Sequence, residues 1–190
     1  MANKDAPFGL RIYNSNGAPY TGRLTRYKKT ASVILGIGDP VVAAGDGDAD
    51  GIPLVTRASS GAGNKILGVV VSTGPLLSDL SKNYLASADS GDVLVADDPD
   101  LIFEIQEDSD GGALAATDIE RGADLVAAID ASTTTGLSKY EIDSSTVGTG
   151  STVQLKLLGL VERPDNAIGN QAVWRVMISQ HANRAALILS

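Results

Sequence analysis

Short apolar, β-branched runs recur along this 190-residue chain, and nearly every one is closed within a few residues by Gly, Pro, Asp or Ser. A chain punctuated in this way has no room for long amphipathic helices; the pattern is that of many short strands joined by turns. Strands are expected at Ala31–Ile37, Val41–Ala44, Ile66–Ser72, Asp92–Ala96, Leu101–Gln106, Ser138–Asp143, Thr152–Val161 and Ala172–Ser179. Helix is expected at two places only. Thr117 and Glu120 have capping-box spacing, with Gly122 stopping the turn, and Leu76–Leu85 has room for one short turn. The fold class read from this is mainly β: a compact barrel or sandwich with one or two short helices and an extended N-terminal arm.

Charge divides the chain unevenly. Residues 1–30 carry six Lys/Arg and one acid, a local charge of +5, whereas the remainder carries −13 and the whole chain −8. Three of the five Tyr and one of the two Phe also fall in this segment. The organisation expected is a basic arm and hairpin at 1–30, a β-rich body at 31–182 and an apolar tail at 183–190. Such an arm is a candidate docking element, and equally an ordinary first strand pair with a solvated positive face. The candidate contacts are Phe8, Leu10, Tyr13 and Tyr20 as apolar anchors, Arg23 and Arg26 as flanking charges, and Leu187 and Ile188 of the tail between subunits. An acidic body argues against nucleic acid as the partner. No apolar run approaches the ~18 residues of a membrane span, and the opening MANKDAPFG has no signal-peptide core. The chain has no Cys, hence no disulfide frame or thiolate metal site, and folding in a cytoplasm is expected.

Motifs of catalysis break off early. Asp46-x-Asp48-x-Asp50-Gly51 begins like an EF-hand loop, but Pro53 falls at the eighth position and the closing ligand position holds Arg57. A solvated acidic hairpin loop, without metal, is expected there. Asp97-Asp98-Pro99-Asp100 and Glu107-Asp108-Ser109-Asp110 are read as turns, and Gly61–Lys65 as a hairpin turn lacking phosphate-loop spacing. The single histidine, His181, has no nucleophile elbow to serve and is read as structural. No catalytic residue, metal or cofactor is expected, and the chain is not read as an enzyme.

Six segments, in order along the chain, carry a resemblance. They are Asn3-Lys4-Asp5-Ala6-Pro7-Phe8-Gly9-Leu10-Arg11, Asn16-Gly17-Ala18-Pro19-Tyr20, Ile37-Gly38-Asp39-Pro40-Val41-Val42, Leu101–Asp108 (LIFEIQED), and Leu158–Asn166 (LGLVERPDN) followed by Trp174–His181. Together these resemble a family of tailed-bacteriophage structural proteins, the head decoration or cement proteins. The chain departs from that pattern at Ile12, where the family has Pro, and in the added tail. The resemblance implies a protein that binds the major capsid protein on the outer surface of the virion after folding in the host cytoplasm. It also implies a symmetric oligomer, a homotrimer with a two-fold dimer as the other option. The reading set against it is a virion surface or tail module that binds a host glycan.

Overall fold

The computed structural model describes residues 3–13, 22–126 and 129–184. Their strands are β1 (Arg11–Ile12), β2 (Thr25–Lys29), β3 (Pro40–Gly47), β4 (Pro53–Arg57), β5 (Gly68–Thr73), β6 (Asp92–Ala96), β7 (Ile102–Gln106), β8 (Gly122–Leu125), β9 (Ile142–Gly148), β10 (Leu155–Leu160) and β11 (Val173–Ile178). One 3-10 turn, Ala116–Asp118, completes the regular structure. The expectation of a mainly β fold holds.

The strands form two units. β2-β4-β3-β5-β6 close into a barrel, sealed where β2 pairs in parallel with β4 and antiparallel with β6. The remaining six make an antiparallel sheet in the order β1-β7-β11-β10-β8-β9. Each unit has its own core. Tyr27, Leu35, Val41, Val55, Val70, Leu85, Val93 and Val95 pack inside the barrel. Phe103, Ile105, Leu125, Ile142, Leu155, Trp174, Val176 and Ile178 pack on one face of the sheet. β5 serves both, because successive side chains of a strand face opposite ways: Val70 enters the barrel and Val69 the sheet core. The chain passes from barrel to sheet once, through the turn at Asp97–Asp100, where the backbone N–H of Asp100 donates to Oδ1 of Asp98 at 2.9 Å.

The structure corrects several of the expected elements. Ala31–Ile37 is not a strand. Ser32 and Gly38 take positive φ (74° and 92°), so the run folds into a plug that places Leu35 inside the barrel and makes single bridges at Leu35 and Ile37. Leu76–Leu85 is turn rather than helix. The carboxylate of Asp79 accepts from the N–H and hydroxyl of Ser81, and this competes with helical bonding. The Thr117–Arg121 turn sits one register earlier. The N–H of Ala115 donates to Asp118, and Glu120 pairs with Lys156 at 2.5 Å instead of capping with Thr117. Gly122 opens β8 rather than ending a helix. The strand expected at Ser138–Asp143 begins only at Ile142, because the hydroxyl of Ser138 accepts from the N–H of Tyr140 in a local turn. Within the first thirty residues, β2 is an integral barrel strand, and β1 is paired to β7.

Candidate functional site: an N-terminal strap between sheet and barrel

Residues 3–13 run as a strap across the end of the sheet and against the barrel. Sequence dictates each attachment. At one end the Asn3 side chain donates to the carbonyls of Ala167 and Asn170 (2.8 and 2.9 Å) and accepts from the N–H of Ala167. Gln106 accepts from the N–H of Ala6 and donates to the carbonyl of Lys4. Gly9 then takes φ +72°, and any Cβ there would lie 2.3 Å from Cβ of Ser138 and 2.4 Å from the carbonyl oxygen of Gly38. Only glycine permits that approach. The next N–H, of Leu10, donates to the same Gly38 carbonyl at 3.0 Å. Arg11 and Ile12 pair with Glu104 and Phe103, and the N–H of Tyr13 donates to Ile102.

Charge locks the strap. Glu104 is almost fully buried; one oxygen takes Nε of Arg11 at 2.5 Å and the other faces Arg163 at 3.4 Å. The Arg11 guanidinium also lies over the Phe8 ring (4.7 Å), and Arg175 over the Tyr13 ring (5.6 Å). Two cavities flank the strap. One, of about 300 Å³, is apolar and lies toward the barrel, lined by Leu10, Ile12, Ile37, Val70 and Leu137 among others. The other, of about 320 Å³, lies toward Asn3, Gln106, Arg163 and Asn166. Phe8 and Arg11 border both. Most amide groups of the second cavity are used internally, Asn166 bridging the carbonyls of Val161 and Val173, while Oε1 of Gln171 is buried without a hydrogen-bond partner.

The expected contact residues scatter around this arrangement. Phe8 and Tyr13 are half-buried on the strap with part of each ring accessible. Leu10 is only 2% exposed and belongs to the sheet core, so it anchors its own domain and offers nothing to a partner. Arg23 and Arg26 are remote from the strap, on the barrel: Arg26 pairs with Asp92 at 2.6 Å, and Arg23 lies 3.8 Å from Asp97. Tyr20, Leu187 and Ile188 lie outside the described residues.

The positive charge of the first thirty residues is largely neutralised within the chain. Besides Arg11, Arg23 and Arg26, Lys28 pairs with Asp48. Lys29 is buried and donates to the carbonyls of Thr30, Val33 and Ser87 (2.8, 3.0 and 3.3 Å), with burial pulling its ammonium below the usual lysine range. No sequence signal says which acids, dozens of residues away, take these partners.

The acidic motifs resolve into local roles. Asp48 accepts from the N–H groups of Asp50 and Ile52 while holding Lys28, so its carboxylate closes the β3–β4 hairpin. Its interaction with Lys28 keeps it below the ordinary carboxylate range. His181 is buried, its Nδ1 accepts from the N–H of Asn183, and burial lowers its pKa. Asp5, Asp108, Asp110, Glu141 and Asp143 line an open cleft of about 570 Å³ with Lys139. Burial first, then the charges of Asp5, Asp108 and Asp110, push Glu141 up to about 7. Glu107, behind it in the core, is also pushed up to about 7 by burial, while accepting from the N–H of Leu114 at 2.7 Å. Among the described residues no group of three or more His, Asp or Glu is placed to hold a metal ion.

Comparison with known proteins finds no matching family model, no similar curated protein and no similar solved structure.

Proposed function

We propose that this chain is a structural virion protein that decorates the outer surface of a tailed-phage capsid by binding the major capsid protein, as a symmetric oligomer with three-fold symmetry favoured. The observation that carries the reading is convergence. Segments of the resemblance drawn from distant stretches meet at the strap: Asn3–Arg11, Gly38, Glu104 and Gln106, Arg163 and Asn166, and Arg175 of β11, over the Tyr13 ring. These residues build one locked junction between sheet and barrel, and none of them is arranged as a nucleophile with its base. A cement protein needs such rigidity and an accessible face more than a reaction centre. Phe8 and Tyr13, each with an arginine against its ring, are the partly exposed aromatic portion of the junction, offered to a shell beside the more exposed Arg11. Because the charges of the first thirty residues are mostly paired internally, docking rests on these aromatic faces, with a weak dependence on salt.

The test is reconstitution. Purified protein is added to capsids lacking it, and bound density is read by cryo-electron microscopy. Density on the outer shell, reduced at least tenfold in occupancy at limiting concentration by Phe8→Ala with Tyr13→Ala, is expected. Bare shells at saturating wild-type protein would overturn the reading.

A further inference from the structure

The segment between β5 and β6 runs from Gly74 to Gly91 and is fixed at both ends, by Gly74 bonding to Asp92 and by its far half. Leu85 bridges to Leu35 inside the barrel, Asn83 donates to the carbonyl of Thr135 at 2.7 Å, and Lys29 donates to that of Ser87. Its near half is a tight turn in which the N–H of Asp79 donates to the carbonyl of Leu76. Leu76 packs on the barrel core, and the turn therefore throws the next apolar side chains outward. Leu77 is 97% exposed and Leu80 74%, the two most exposed large apolar residues described. A rigidly based tip with two leucines in water is the mark of an interaction surface.

The same chain carries a receptor of matching chemistry. The apolar cavity between strap and barrel, lined by Phe8, Ile12, Ile37, Val71 and Leu137, has about 300 Å³. A dry apolar cavity of ~150 Å³ admits a benzene ring, so one twice as large admits two four-carbon leucine side chains. Knob and groove are mechanically joined, since Asn83 at the base of the knob grips Thr135, two residues from Leu137 in the groove wall. The knob nevertheless stands free of its own groove, as the exposure of Leu77 demonstrates.

We infer that Leu77 and Leu80 of one copy seat in the strap–barrel groove of a second copy of this chain. The surface that gives differs from the surface that receives, so the contact closes either by reciprocal exchange about a two-fold axis or as a ring. This inference concerns the free protein and stands or falls without any capsid.

The first measurement is the mass of the full chain in solution by analytical ultracentrifugation across a concentration series. Wild type is expected to associate into a closed dimer or trimer. Leu77→Asp with Leu80→Asp, both at exposed positions, is expected to weaken association at least tenfold with unchanged circular dichroism. Val71→Phe, which fills the groove, is expected to do the same. Deleting residues 185–190 is expected to leave it unchanged. A second measurement is independent of these substitutions. The chain has no cysteine, so Leu77→Cys and Leu137→Cys chains can be mixed and oxidised. A covalent pair that forms more readily in the mixture than in either chain alone supports the contact. A monomer at all concentrations, an oligomer indifferent to the leucine pair, loss of association on removing 185–190, or an intramolecular link in the Leu77→Cys, Leu137→Cys double variant would each overturn it.

Discussion

Arg11 and Glu104, 93 residues apart, share a 2.5 Å bond from the guanidinium Nε to a buried carboxylate oxygen. The two partners differ in what their loss leaves behind. Arg11 keeps 56% of its side chain in water, whereas Glu104 is buried and also faces Arg163. Removing Glu104 empties a buried site, takes the partner from Arg11 and leaves Arg163 only the exposed Asp165 at 3.7 Å; removing Arg11 leaves the carboxylate its second partner. Glu104→Ala is therefore expected to cost about 2–4 kcal/mol and Arg11→Ala about 1 kcal/mol or less, read from urea unfolding midpoints. Equal losses would show that the strap is held by something other than this carboxylate.

Gly9 is the tightest point of the strap. Gly9→Ala would add a Cβ within 2.4 Å of Gly38 and Ser138 at a φ of +72°, and a loss of about 2–4 kcal/mol is expected. Gly63→Ala, also at positive φ but with open space around it, should lose only about 1 kcal/mol. Thermal unfolding of the two variants separates steric exclusion from backbone preference.

Removing residues 1–12 takes away buried Leu10, strand β1 and the anchors at Asn3 and Ala6. The truncated chain is expected to unfold at a clearly lower temperature, with loss of several kcal/mol. An unchanged melting temperature would mean that the strap is dispensable to the body.

Glu107 sets a pH dependence. Its folded pKa of about 7 lies above its ordinary value of 4.5, so the folded state holds the proton more tightly than the unfolded chain. That contribution is fully present below about 4.5 and is lost as pH rises through about 7, and Glu141 acts in the same sense. Stability should fall between pH 5 and 8. Glu107→Gln should flatten the fall and add roughly 1–3 kcal/mol at pH 8. Denaturant melts at pH 5, 6.5 and 8 measure both.

At the β3–β4 hairpin, Lys28 occupies the carboxylate that a cation would need. Calorimetric titration of wild type with calcium is expected to give no binding tighter than millimolar. A micromolar site would mean that calcium displaces the ammonium.

Strands whose burial follows from their own alternation were legible in the sequence. Asp92–Ala96 and Val173–Ile178 come close to the expected limits because their buried residues alone define a face. β2 was hidden because three of its five residues are cationic, and the burial of Lys29 makes sense only once the nearby carbonyl of Val33 and the distant one of Ser87 surround it. The 31–37 run looked like a strand because composition cannot distinguish an apolar strand from an apolar plug. At the candidate site, Phe8 and Tyr13 could be picked out as aromatics beside charges. The burial of Leu10 and the pairing of Arg26 with Asp92 are products of tertiary structure with no local signal.

The grip of Asn3 on Ala167 has a consequence for biosynthesis. Asn3 bonds to a residue 164 positions further along the chain, and β7, the strand that holds β1, itself pairs with β11. The barrel strands, complete by Ala96, are able to close first, while the strap, with Phe8 and Leu10 uncovered, must wait for some seventy further residues. Folding of this chain is thus a late, non-local event with a slow final step. A nascent-chain arrest series should reveal it as a jump in protease resistance only after β11 has emerged.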